Sequence, residues 1–149
     1  MGNPPQTVCT ALVALPQAAG AARTFTTSAL EAWELSHLSD TAELLVSELI
    51  TNAVKHAGGV VDPPDDLNEL SGRIPPVILS LSVRDSLVVQ VWDVSGTPPV
   101  RRAAADDDVS GRGLELVDLL SKEWGCEVLT TGGKIIWFAL ELDVCDIAE

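Results

Sequence analysis

The sequence predicts an α+β chain, a two-layer α/β sandwich in which helices cover one face of a mixed, mainly antiparallel sheet. Three stretches carry the prediction. Residues 44–59, LLVSELITNAVKHAGG, hold apolar side chains at helical spacing. Residues 87–93, LVVQVWD, alternate as a strand with one buried face does. Residues 110–125, SGRGLELVDLLSKEWG, set a glycine-bracketed arginine before a second amphipathic helix.

The elements follow in order. TVCTALVAL, 7–15, reads as a first strand closed by Pro16. Residues 18–35 carry Ala22, Phe25, Ala29, Leu30 and Trp33 at helical spacing. Ser39 or Asp40 can cap the next helix. Its apolar stripe is Ala42, Leu45, Val46, Leu49, Ile50, Ala53, Val54 and Ala57, and Gly58-Gly59 end it. Residues 60–76 form an aperiodic, acidic, proline-rich loop. VILSLSV, 77–83, turns through Arg84-Asp85-Ser86 into the strand ending at Asp93, an antiparallel hairpin. Residues 96–110 are polar, with three consecutive aspartates. The helix after Gly113 has Leu114, Val117, Leu120 and Trp124 on its apolar face. EVLT and KIIWFALEL then make two more strands around Thr131-Gly132-Gly133, and 144–149 read as a loose tail.

The 149 residues, 46% of them hydrophobic, are enough for one domain with its own core, at about 7–142. A net charge of −13 argues against binding nucleic acid or anionic membrane through neutralisation of phosphates. It does not exclude a local phosphate site, since Lys55, Arg101, Arg102 and Arg112 fall in or beside the informative stretches. Cys9, Cys126 and Cys145 have no CxxC spacing, so neither a disulfide framework nor a zinc site is expected. No apolar run reaches the roughly 18 residues of a membrane span, and no secretion signal opens the chain, so a cytoplasmic location is expected.

Glu48 and Asn52 stand one turn apart and drift, with His56, toward the apolar stripe of their helix. A solvated helix flank is the plain reading of such a pair. The other reading is chemical: a carboxylate and a carboxamide at the boundary of the core can serve as a base and as an oxygen ligand for magnesium. Leu87, Val89, Val91 and Asp93 share one strand face, so an otherwise apolar side ends in an inward carboxylate. Such a group either caps the next turn or meets a ligand. Gly111 and Gly113 at a helix start expose amides that suit phosphate oxygens, although a lone GxG is often only a tight turn.

These motifs, in this order, resemble the ATP-binding fold shared by DNA gyrase, histidine kinases, MutL-type proteins and heat-shock chaperones. Within it, WELSHLSDTAELLVSELITNAVKHAGG, VWDVSGTPP, GRGLELVDLLSKEWG and GGKIIWFALEL are most similar to the anti-sigma factor serine kinases. The resemblance runs from about residue 18 to 142 and implies a histidine kinase-like ATPase domain with ATP and Mg2+ as cofactors. It implies Asn52 as the magnesium ligand, Glu48 as the catalytic base and Asp93 as acceptor of the adenine amine. It gives the phosphates to Gly111, Arg112, Gly113 and Leu114, with Lys55 nearby, and leaves His56 to pack at the helix end. It makes 96–110 a short lid. The implied partners are an anti-anti-sigma protein, phosphorylated on serine, and a sigma factor; a homodimer is compatible with these features. The alternative is a nucleotide-binding module that sequesters a partner without catalysis. Two departures stand out: Lys134 and Ile135 occupy the place where the family's last strand often has Thr, and the 60–76 loop is long.

Overall fold

A computed structural model describes residues 6–58, 74–95 and 109–142, with side chains given for all of these except 56–58 and 109–113. The order is β1 (Gln6–Val13), α1 (Ala18–Ala32), a 3-10 turn (Ser36–Leu38), α2 (Ser39–Gly58), β2 (Pro76–Val83), β3 (Ser86–Asp93), α3 (Val109–Leu120), β4 (Glu123–Val128) and β5 (Lys134–Glu141). The strands form one sheet in the order β1-β2-β3-β5-β4. Each of its four junctions is antiparallel, so the described sheet has no parallel pair.

Alternation in the sequence decides which side chains face the helices. Leu79, Leu81, Leu87, Val89 and Val91 are buried, and the register aligns Leu81 with Val89 and Val89 with Phe138. Ile136 and Leu140 extend the same inner face along β5. The helices supply the other half of the core. Ala42, Leu45, Val46, Leu49, Ile50 and Ala53 of α2 are buried together with Ala22 and Leu30 of α1 and Val117 of α3. Each large aliphatic side chain buried this way contributes about 1.5–3 kcal/mol. The helix α2 lies centrally, against α1, α3, β2 and β3.

Three boundaries differ from the sequence expectation. Ser39 is already helical (φ −58°, ψ −46°), because the 3-10 turn runs straight into α2; neither it nor Asp40 is the starting cap. The helix α3 stops at Leu120, which is 44% exposed, and the Lys122 N–H donates to the Ala139 carbonyl. Trp124 therefore belongs to β4, paired with Phe138, and not to the apolar face of the helix. For the same reason the fourth strand is Glu123–Val128 and not EVLT. The 60–76 loop lies outside the described residues except for its end, where Ala14 N–H donates to the Pro75 carbonyl and Pro76 opens β2. Of the expected lid over 96–110, residues 96–108 lie outside them, as does the tail, while 109–110 are already helical. No described helix is long and apolar enough to cross a membrane.

Candidate functional site

The stripe on α2 determines where its polar residues point. Six of its eight apolar positions are buried, and Val54 is half-buried; the side chain of Ala57 lies outside the described set. Glu48 is half-buried at the margin, as expected of a flank residue. Asn52 goes further in, at 2% exposed. Among the described residues its Oδ1 has no hydrogen-bond partner. An unsatisfied buried acceptor costs about 1–3 kcal/mol, so a solvated flank does not describe this residue. Lys55, a turn further on, is exposed. The His56 side chain lies outside the described residues.

The strand β3 brings the second group. Asp93 is 1% exposed at the strand's inner end. Its Oδ1 accepts the Ser95 N–H at 2.8 Å, so the turn-capping reading is satisfied. The same oxygen also accepts from Lys134 Nζ at 3.0 Å, and Lys134 is fully buried. Lys134 Nζ donates as well to the Ser95 carbonyl at 3.3 Å. The register places Lys134 directly across from Asp93 on β5.

A tight turn delivers this lysine. Leu129 N–H donates to the Gly133 carbonyl at 3.0 Å and Gly132 N–H to the Leu129 carbonyl at 3.1 Å. Gly133 has φ +79°, and a Cβ there would run into the Asp93 carbonyl oxygen and the Trp92 indole. Trp92 Nε1 donates to the Gly132 carbonyl at 3.2 Å on the other side of the turn. Cys126, exposed on β4, senses the same pair. Partial burial pushes its thiol above the ordinary range, the Lys134 ammonium pulls it down, and the Asp93 carboxylate pushes it up again.

Gly111 and Gly113 do not form a loop before the helix, as the sequence suggested; α3 begins at Val109 and both lie in its first turns. In a helix starting there, the amides up to and including that of Gly111 lack intrahelical partners, and the Arg112 N–H is the first to bond within the helix. The Arg112 side chain lies outside the described residues. Leu114 is buried at 1% exposed and anchors this end of the helix. Packing of α2 against both β3 and α3 thus gathers the three motif-bearing elements around one helix. A surface cleft of about 300 Å³, lined by Leu38, Thr41 and Leu120 through Lys122, contains none of these residues and lies at the other end of α3 and β5.

The donor set suits magnesium. Among the described residues no group of three or more His, Cys, Asp or Glu stands together as a metal cage. Magnesium keeps several waters and takes one or two protein oxygens plus substrate phosphates, and the unpartnered Asn52 Oδ1 is an oxygen of that kind.

Lys134 is the residue that the sequence reading treated only as a missing Thr. Alternation with Ile136, Phe138 and Leu140 was the signal that it faces inward.

The family model for the histidine kinase-like ATPase domain matches residues 12–140, and the chain belongs to that family. No curated protein matches the chain.

Proposed function

From that membership as premise, we propose that the chain is an ATP-dependent protein serine kinase. In this reading it phosphorylates an anti-anti-sigma partner and sequesters a sigma factor. The observation that carries the reading is the buried Asn52 Oδ1, without a partner among the described residues, one turn from a half-buried carboxylate on Glu48. Asn52 would hold magnesium through that oxygen. Bound Mg-ATP supplies the γ-phosphoryl group and the charge neutralisation that its transfer needs. Glu48 would orient the serine hydroxyl and take its proton as the hydroxyl oxygen bonds to the γ-phosphorus and ADP departs. Asp93 would accept the exocyclic amine of adenine, a contact that disfavours guanine. The amides at the start of α3, that of Gly111 among them, with the Arg112 guanidinium and Lys55, would hold phosphate oxygens. The anti-sigma role rests on the similarity of the motifs to the serine kinases.

A second reading has its own observation. The ion pair of Asp93 with Lys134 engages the base-reading carboxylate within the protein, which favours a module that binds nucleotide weakly and sequesters its partner without transfer.

Titration calorimetry with Mg-ATP, followed by radiolabel transfer to a cognate anti-anti-sigma domain with a Ser→Ala acceptor control, separates these. Glu48→Ala should keep ATP affinity within a few-fold yet lose roughly 100-fold or more of the transfer rate, as removal of a general base does. Transfer by Glu48→Ala at the wild-type rate refutes the assigned base. A wild type that binds partner and transfers nothing supports the sequestering module. No heat from ATP or ADP at millimolar nucleotide refutes the nucleotide site and leaves only the fold.

A further inference from the structure

Asp93 Oδ1 is engaged twice, by the Ser95 N–H and by the Lys134 ammonium. In the proposed function this carboxylate reads the base. We propose that Lys134 is a resident competitor for that carboxylate, an affinity-determining residue that holds the group an adenine amine would use. The inference rests on the nucleotide reading above and adds a residue that the motifs do not contain.

Three features of the pair support it. The first is that the competitor is held in place by the backbone. Asp93 and Lys134 are register partners on adjacent antiparallel strands, so their encounter needs no further ordering of the chain. Another is relative donor strength. An ammonium makes a charge-assisted bond to a carboxylate, about twice as strong as a neutral one, whereas a base amine is a neutral donor. Lastly, Lys134 is fully buried and tied also to the Ser95 carbonyl, so moving its ammonium off the carboxylate costs a second hydrogen bond as well. A base amine must therefore share a carboxylate whose charge is already compensated, or loosen the pair. Either way the base contributes less to binding than it would against an uncompensated carboxylate.

Lys134→Thr tests this directly. Threonine can still donate a hydroxyl to Asp93 but brings no charge. Mg-ATP should bind the variant about ten-fold more tightly, the difference between a neutral and a charge-assisted hydrogen bond. Inorganic tripolyphosphate, which has no base, should bind both proteins equally. Equal or weaker ATP affinity in the variant overturns the proposal, and so does an equal gain for tripolyphosphate.

The wild type gives a second readout if the variant does not fold. The sequence has only three lysines, of which Lys55 and Lys122 are exposed. Lysine-selective nitrogen NMR should therefore show one ammonium protected from exchange, and saturating Mg-ATP should shift it or expose it to exchange. ATP binding with that signal unmoved refutes the role of Lys134 alone. No heat from ATP with either protein refutes the nucleotide reading itself and this inference with it.

Discussion

Removing either member of the Asp93–Lys134 pair alone should destabilise the fold far more than removing both. The two charges stand 3.0 Å apart with side chains 2% and 0% exposed. At an effective dielectric near 20, Coulomb attraction at that distance is about 5–6 kcal/mol. Desolvation of two buried ions offsets most of it, so the intact pair adds little net stability. A lone buried charge keeps the desolvation penalty and loses the attraction. Asp93→Leu or Lys134→Leu should therefore each cost about 3–5 kcal/mol. For a domain of this size that is a fall in Tm of about 6–20 °C. The double variant Asp93→Leu/Lys134→Leu should recover most of the loss, because both penalties vanish together. What remains is the Ser95 N–H, which loses its acceptor at about 1 kcal/mol. Denaturant unfolding of the four proteins, without nucleotide, gives the coupling energy as a double-mutant cycle. Single variants that melt within a degree or two of the wild type, or a double variant whose loss is the sum of the two, would refute a buried, coupled ion pair.

Other substitutions read the same end of the sheet. Asn52→Ala should abolish magnesium-dependent nucleotide binding in calorimetry while leaving Tm unchanged or slightly raised, since the amide oxygen it deletes has no partner among the described residues. Gly133→Ala should lower stability by at least about 1–3 kcal/mol through its positive φ and the Asp93 carbonyl in its way, measured by thermal melting. Cys126, with its thiol pushed above the ordinary range, holds less thiolate than a free thiol at pH 8; iodoacetamide should alkylate it more slowly than Cys9 in a Cys145→Ser background.

Much of this geometry is legible in the sequence wherever a single period governs an element. The stripe from Ala42 to Ala53 and the alternation from Leu87 to Asp93 each place their side chains correctly, because burial on one face enforces the period. The reading fails where the period runs on past the end of its element. Leu120 and Trp124 continue the spacing of Leu114 and Val117, yet the Lys122 N–H takes the Ala139 carbonyl and turns the chain into β4. Nothing local to residues 110–125 reveals the partner of Lys122, the Ala139 carbonyl on a later strand. Lys134 illustrates the opposite failure. Its position in the alternating set with Ile136 and Phe138 points inward, but a lysine is almost never fully buried unless paired, and its partner Asp93 is forty-one residues away.

Asn52 and Asp93 show two opposite treatments of a buried polar group within the proposed nucleotide site. Among the described residues the amide oxygen of Asn52 is left without a partner at a cost to folding, as the proposed magnesium ligand would need to be. The carboxylate of Asp93 is closed by a counter-ion, which makes its burial tolerable and its offer to a ligand weaker. Burial alone does not explain the difference, since the two residues are 2% and 1% exposed. Under the proposed function such a site would draw affinity from its metal and phosphate end and little from the base. Its nucleotide binding should therefore depend steeply on magnesium and only shallowly on the purine. With Asp93 as the proposed reader of adenine, that balance would be set by one lysine, Lys134.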